Sequence, residues 1–554
     1  MTTRSDIAEL IFPDTKETIA DLEKKFPARK NPICSRFAPS PTGFLHIGGV
    51  YASFIEWKFA KQHDGTFFLR IEDTDQKREV EGAVDLIIDG LRFFGIQIDE
   101  GPVGENNTDV GNYGPYTQSQ RKNIYQIFVK HLLQKGLAYP CWMSEAELET
   151  IREQQTKTKV TPGIYGNYSV RRNKTPDEIA AQIQANPNFV IRFRSPADLT
   201  KRMTFEDVIK GKIEMIDNYN DIVLIKSDGL PTYHLAHIAD DHLMRVSHVI
   251  RGEERLTSVP LHIQLFNAFA LPVPQYCHPA SLLKFDEDGN KRKLSKRKDP
   301  EADIAYFFEH GYAPQGIIEY LINLADPRFE DWQKANPDKS YLDFDIVLEN
   351  MSKSGALFDL VKLQSVNNGY LSRISTQQLY NESLTRAQKY KPATAGRPDL
   401  ATLMLSDPAY TQSALNIERH TPKDPKRFST YADIESQLRF FYDSEWEEMN
   451  GKLKMEDGGL QYDKEIMKKF VAEYVSVLNL EMPVEERFTQ LKEIGKKYGF
   501  ASNNAEFKEG GYIGKIGDLA MFLRIQLCCA TQTPDLYSVM QVMGKERVSK
   551  RLQA

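Results

Sequence analysis

The spacing of apolar residues changes several times along the chain, and each change predicts an element. Ile47, Val50, Phe54 and Trp57 recur at three- and four-residue intervals, predicting a helix from about Leu45 to Gln62 with these residues on one side. Before it, CSRFAPSP from Cys34 reads as a strand stopped by a Pro-Thr-Gly turn, and TFFLRIEDTD from Thr66 reads as the next strand. Such a unit joins parallel strands by a right-handed crossover and forms half of a doubly wound sheet. A second helix is predicted over Glu81 to Phe94, then a Gly- and Asn-rich boundary from Gly101 to Gly114.

From Gly114 to Ile225 helices and short strands mix, and sheet patterning resumes at VLIKSDGLPTYHLAHIADDH and HVIRGEER. The expected fold class is therefore α/β: a Rossmann-type parallel domain split by an inserted α/β domain and followed, beyond about Phe358, by a helical region. Leu519 to Cys528 and Asp535 to Met543 are typical helices of that region. Residues 1–30 read as a helical arm, with Ile19, Leu22 and Phe26 on one face and Thr15 or Thr18 as the cap. The expected segments are 1–30, 31–113 (first catalytic half), 114–225 (insertion), 226–284 (second half), 285–369 and 370–554.

A chain of 554 residues exceeds one core, so several domains are expected. A net charge of −6 argues against a protein that coats nucleic acid, yet leaves room for local positive patches. Five scattered cysteines without framework spacing point to a reducing compartment. No apolar run reaches membrane-spanning length, and the first thirty residues lack a signal core and carry acids that transit peptides avoid. A cytoplasmic location without membrane association is the expectation.

Two segments carry chemistry. In RFAPSPTGFLHIGG, from Arg36 to Gly49, a strand turns directly into a helix whose first N–H groups attract anions. Its glycines permit a phosphate or ribose to come close, and His46 can donate to a phosphate oxygen. In LLKFDEDGNKRKLSKRK, from Leu282 to Lys298, basic residues follow a Gly-Asn turn and suit a triphosphate. Taken singly, the first reads equally as turn punctuation and the second as a solvated basic loop.

Together they resemble the paired signatures of class I aminoacyl-tRNA synthetases, written here HIGG and KLSKR. With LRIEDTDQKR, GLPTYHLAHIADDHL and VIRGEE between them, the chain resembles bacterial-type glutamyl-tRNA synthetases. LFDLVKL, ALNIER and the closing LRIQLCCATQTPDLYSVMQVMGKERVSKRL extend the likeness over nearly all of the chain beyond residue 34. The resemblance implies an ATP-dependent ligase that forms glutamyl-adenylate and passes glutamate to the 3′ end of tRNA(Glu). It further implies an acceptor-stem-binding insertion, a stem-contact region at 285–369, an anticodon-binding region at 370–554, a monomer, and tRNA bound before activation.

Residue roles follow from the resemblance and from substrate chemistry. Glutamate presents two carboxylates and one ammonium, which call for guanidinium forks and an acid. Arg36, Tyr233 and Arg251 match the positions holding the carboxylates and Glu72 the one holding the ammonium, with Ser40 and His237 beside them. ATP is expected against Ala38, Ser40, Gly43, His46, Gly48, Gly49, Glu253, Leu282, Leu283, Lys293, Ser295 and Lys296, with His46, Lys293 and Lys296 stabilising the reacting phosphates. ATP enters with Mg2+ as its substrate complex, bridging phosphates.

Three departures stand out. Gly49 replaces the second histidine of HIGH, and His237 stands where bacterial-type glutamyl enzymes usually carry asparagine and the glutaminyl branch histidine. The zinc-binding cysteines of some relatives reduce here to Cys141 in Cys141-Trp142-Met143, so no structural zinc and no protein-held metal is expected. Cys528 and Cys529 read as packing residues, and His131, His262 and His310 as core or surface histidines. Against this reading stand another adenylate-forming nucleotidyltransferase, a short relative that glutamylates a modified anticodon base, and a noncatalytic tRNA-binding protein. The helical C-terminal region weighs against the first two, and intact Arg36, Glu72, Lys293 and Lys296 against the third. A nicotinamide enzyme is disfavoured because no G-x-G-x-x-G opens a helix.

Overall fold

The computed structural model describes residues 2–43, 45–390, 398–421, 426–450 and 462–554, except the side chain of Gln76. Parts of the helical region expected at 370–554, and Phe44 of the HIGG segment, lie outside these. The chain divides into two units: residues 1–306 with 321–359, and residues 307–320 with 360–554.

The first unit opens with two short helices, α1 (Arg4–Ile11) and α2 (Ile19–Lys25), each started by a threonine capping box. Thr18, not Thr15, caps α2 by accepting from the Asp21 N–H. Strand β1 (Cys34–Phe37), helix α3 (Ile47–Gln62) and β2 (Thr66–Leu69) follow, with β1 and β2 parallel as the strand–helix–strand pattern requires. Helix α3 is not amphipathic as its spacing suggested. It is buried on nearly every side between Val50 and Ala60, Glu56 and Lys58 included. The outer side is covered by residues 341–346, where Lys58 Nζ donates to the Leu342 carbonyl at 2.6 Å and Tyr341 meets the Phe54 ring.

Helix α4 (Ala83–Phe93) leads through α5 (Lys122–Lys135) into the inserted segment. There β3 (Ala138–Cys141), β4 (Val190–Phe193) and β7 (Val223–Ile225) form an antiparallel sheet, with α6 (Glu145–Lys157) and α7 (Pro176–Ala185) in the connection from β3 to β4. The hairpin of β5 (Arg202–Asp207) and β6 (Gly211–Ile216) belongs elsewhere, because Asp207 pairs with Tyr276 of β9 (Gln275–Cys277). Strand β9 lies parallel to β8 (His248–Ile250), and the Ser247 N–H donates to the Cys34 carbonyl, setting β8 beside β1. Helices α8 (Tyr233–Leu243) and α9 (Val259–Phe269) complete this half and share its core with Phe68, Phe128, Leu235 and Val249. The basic segment is a hairpin, β10 (Leu282–Phe285) and β11 (Lys291–Lys293), not a loop throughout, and β10 also pairs with Ala356–Leu357.

Among its described residues the second unit is helical, from Leu360–Arg373 to Lys545–Gln553, apart from a parallel pair of two-residue strands, Phe500–Ala501 and Gly514–Lys515. Its core gathers Leu379, Phe441, Phe470 and Leu523. Cys528 packs there as a free thiol that burial pushes up to about 12, and Cys529 ends its helix in the left-handed region. Buried Arg551 donates to the Phe440 and Leu527 carbonyls and to Asp443, tying three segments together. Among the described residues, no helix is long and apolar enough to cross a membrane.

Candidate functional site

A cavity of about 330 Å³ opens in the first unit where β1 runs into α3. One wall is the helix start: Ala38, His46, Gly48, Gly49, Tyr51 and Ala52. His46 is the N-cap of α3, its Nδ1 accepting from the Gly48 N–H at 2.8 Å. An accepting Nδ1 puts the neutral ring's proton on Nε2, leaving that nitrogen as a donor. Burial first, then Lys296 and Lys293, holds the imidazole below its usual value, which favours this neutral form. A Cβ at Gly48 would sit 3.0 Å from His46 Nδ1 and crowd the capping imidazole, whereas one at Gly49 would meet the movable end of the Leu45 side chain, Cδ1, at 2.9 Å.

The opposite rim comes from β10 and β11 through Leu282, Lys293 and Leu294. Lys293 pairs with Glu254 at 3.1 Å. Lys296 does not line the cavity but pairs at 3.4 Å with Asp303, whose backbone bridges to His46. The triphosphate-binding cluster read from sequence is therefore smaller than its charge count. Arg292 is committed to Asp299 through two bonds of 2.6 and 2.7 Å, and that bond above all holds the Asp299 carboxyl at about 2. This fork braces the turn at residues 295–298, with the Ser295 N–H also donating to Asp299.

The floor carries Arg36, Glu56, Glu72, Tyr233 and Arg251. Arg36, on β1, donates to Asp241 from Nε at 3.3 Å and Nη2 at 3.4 Å. Arg70, fully buried, donates to the same Asp241 at 2.6 Å and to Glu72 at 3.0 Å. Burial raises the Glu72 carboxyl against the pull of Arg70, whereas Arg36 and Arg70 outweigh burial at Asp241 and hold it ionised. Arg251, after β8, gives Nη1 to the Tyr233 hydroxyl at 2.8 Å and Nε to His278 Nε2 at 3.1 Å. His278 Nδ1 in turn lies 2.6 Å from Asp207 Oδ2, at the end of β5.

Of the residues singled out from the sequence, Arg36, Ala38, His46, Gly48, Gly49, Glu72, Tyr233, Arg251, Leu282 and Lys293 meet at this cavity. Others stand apart from its walls. Ser40 is exposed, and Gly43 occupies the turn with φ 114°. Leu283 faces Lys293 across the hairpin, and Glu253 is held by Lys210 at 2.7 Å and the Ser281 N–H at 2.9 Å. His237 is fully buried one layer behind, 3.1 Å from Asp241 and stacked on His262 at 4.3 Å between centroids.

Several wall residues escaped the sequence reading: Tyr51, Glu56, Glu254 and Arg255, whose guanidinium covers the Tyr233 ring at 4.8 Å. His262, read as a core or surface histidine, is buried and belongs to a cluster backing Arg251, with Nδ1 3.5 Å from Arg251 Nη1 and Nε2 3.0 Å from His234. Burial first, then neighbouring arginines and histidines, depresses His237 and His262 strongly and His234 to about 4. The local signal for Glu56 was its place on α3, seven residues after Gly49 and hence on the same helical face.

Residues 32–364 match a family model described as tRNA synthetases class I (E and Q), catalytic domain, and residues 410–554 match one described as an anticodon binding domain. A glutamate–tRNA ligase of Clostridium perfringens (strain SM101 / Type A) is 42% identical over 99% of this chain and 98% of its own. That of Sorangium cellulosum (strain So ce56) is 38% identical over 96% of each. Among solved structures, a glutamate tRNA ligase from Elizabethkingia meningosepticum in complex with its amino acid superposes with a TM-score of 0.71. It is 26% identical and covers 94% of this chain and 98% of its own.

Proposed function

The chain belongs to the class I tRNA synthetases of the E and Q type, the glutamate and glutamine enzymes, and from that premise we propose how its cavity performs glutamate–tRNA ligation. The enzyme activates glutamate with ATP, releasing pyrophosphate, and transfers it to the 3′-terminal adenosine of tRNA(Glu). In our reading, Arg36 and Arg251 take the two carboxylates with Tyr233 and Glu72 takes the ammonium, while His237 acts one layer behind through Asp241 and Ser40, off the cavity walls, approaches only bound substrate. The adenosine lies over Gly48 and Gly49. The phosphates meet the α3 N-terminus and His46, with Lys293 and Lys296 on the pyrophosphate side; Ala38 and Leu282 line the ATP side of the cavity, and Gly43, Glu253, Leu283 and Ser295 stand behind it.

The observation that carries this reading is that one cavity joins a helix N-terminus, a donor His46 and Lys293 to two arginines and an acid. The glutamate α-carboxylate attacks the α-phosphate in line, and charge building on the phosphate oxygens is met by donors already in place. A terminal ribose hydroxyl of tRNA then attacks the adenylate carbonyl and AMP leaves. Glutamine is rejected because its neutral amide leaves an arginine poorly compensated. ATP enters as its Mg2+ complex, the ion being held by the phosphates.

The inserted segment 114–225 is assigned to the acceptor stem, 285–369 to stem contacts and 370–554 to the anticodon. The enzyme acts as a cytoplasmic monomer, a location supported by five free cysteines. ATP–pyrophosphate exchange with glutamate or glutamine, with and without tRNA, tests the reading. Exchange that requires glutamate and is absent with glutamine is expected, and exchange with neither sinks it. Charging purified tRNA(Glu) and tRNA(Gln) separately decides whether the second is also a substrate.

A further inference from the structure

Glu56 is a buried carboxyl on the cavity floor to which the reading above gives no role. It is 2% exposed, and Oε1 lies 3.7 Å from Arg36 Nη1. Its other oxygen, Oε2, is buried with no hydrogen-bond partner among the described residues. The backbone of Glu56 is anchored, its carbonyl accepting from the Ser35 hydroxyl at 2.7 Å, so the side chain leaves α3 from a defined point. Leaving such an oxygen unsatisfied costs folding free energy, and a Met or Leu in the same place would cost none. A polar group kept there at a cost suggests a partner that arrives with the substrate.

We propose that Glu56 is an amino-acid-recognition residue, its carboxyl turning into the cavity so that its hydroxyl donates a hydrogen bond to the glutamate carboxylate that Arg36 holds. This rests on Arg36 taking a substrate carboxylate. The charge balance favours a donor. Arg36 already faces ionised Asp241, and a second ionised carboxylate at 3.7 Å would oppose a substrate anion approaching the same guanidinium. Burial pushes the Glu56 carboxyl well above the usual carboxylate range, with Arg36 opposing the rise and Asp241 adding to it, which favours the neutral acid. Neutral Glu56 then acts toward glutamate as a buried protonated carboxyl acts toward any oxyanion, with one strong O–H donor and no repulsion. No proton needs to move, and no bond is made or broken.

Glu56→Gln retains the length and offers an amide N–H donor, whereas Glu56→Met retains the length and offers none. In glutamate-dependent ATP–pyrophosphate exchange with tRNA present, Glu56→Met is expected to raise KM for glutamate by about tenfold or more. KM for ATP stays within about twofold, and Glu56→Gln restores KM for glutamate to within about threefold of the parent. A purely structural role would not split the two KM values or be rescued by the amide. Unchanged KM for glutamate in Glu56→Met overturns the inference, and so does an equal rise in both variants, which would make the ionised form the active one. Arg36→Lys in parallel keeps the two ideas separate: if it leaves KM for glutamate unchanged, the assignment of Arg36 itself falls.

Discussion

Arg251 Nε donates to His278 Nε2 across 3.1 Å, which makes that imidazole nitrogen an acceptor. Its other nitrogen then carries the proton and gives it to Asp207 Oδ2 at 2.6 Å. The arginine assigned to a glutamate carboxylate is thus aimed by a residue at the end of the hairpin that the inserted segment adds to the catalytic sheet.

Asp207→Asn reverses this relay. Oδ1 accepts from the Ile209 and Lys210 N–H groups at 3.1 and 2.8 Å, so the new amide nitrogen is forced to the Oδ2 position. It then donates to His278 Nδ1 and moves the ring proton to Nε2, facing the Arg251 donor. KM for glutamate should rise about tenfold with KM for ATP little changed, as steady-state exchange would read.

Asp241 is the shared anchor of Arg36 and Arg70 and is itself fully buried. Asp241→Asn leaves two buried guanidinium groups undercompensated and should cost about 3–5 kcal/mol. Urea unfolding measures this, and an unchanged midpoint would show that the arginines find other partners.

Lys296→Ala should lower the rate of adenylate formation by roughly 10²–10³-fold. Near-normal pyrophosphate exchange would remove Lys296 from the mechanism and leave the phosphate contacts to His46 and Lys293.

Acid should weaken the first unit through its neutral histidines. Unfolded histidines take up protons below about 6.5, whereas in the folded state burial keeps His234 neutral down to about 4 and holds His237 and His262 low as well. The unfolded state therefore binds more protons in this window, and stability falls as pH is lowered through it. Tm should be level above pH 7 and decline from about 6.5 toward 4, with a shallower decline in His234→Gln. A parallel decline in that variant would exclude His234 as a contributor.

The helix-opening corner was legible in the sequence because its parts are chain neighbours. His46, Gly48 and Gly49 owe their geometry to one strand-to-helix turn, and a contiguous motif carries it. The basic hairpin was legible in charge but not in direction. Nothing in KRKLSKRK says that Arg292 turns inward to Asp299 while Lys293 reaches the cavity.

Alone, the order of residues determined the family likeness and the alternation of strand and helix around the corner, and through that likeness it named the candidate arginines and acid for an acidic amino acid. Tertiary structure alone decided which groups stand behind them. Asp207 and His278 are 71 positions apart and Arg36 and Asp241 are 205 apart, so only strand pairing and helix packing bring them together. It also decided that α3 is buried on nearly every side, which turns Glu56 from a polar residue on an expected amphipathic helix into a buried acid beside Arg36 at the cavity. Local spacing sets backbone form, because neighbours share dihedral angles. Burial and charge pairing depend on what the rest of the fold lays against each face.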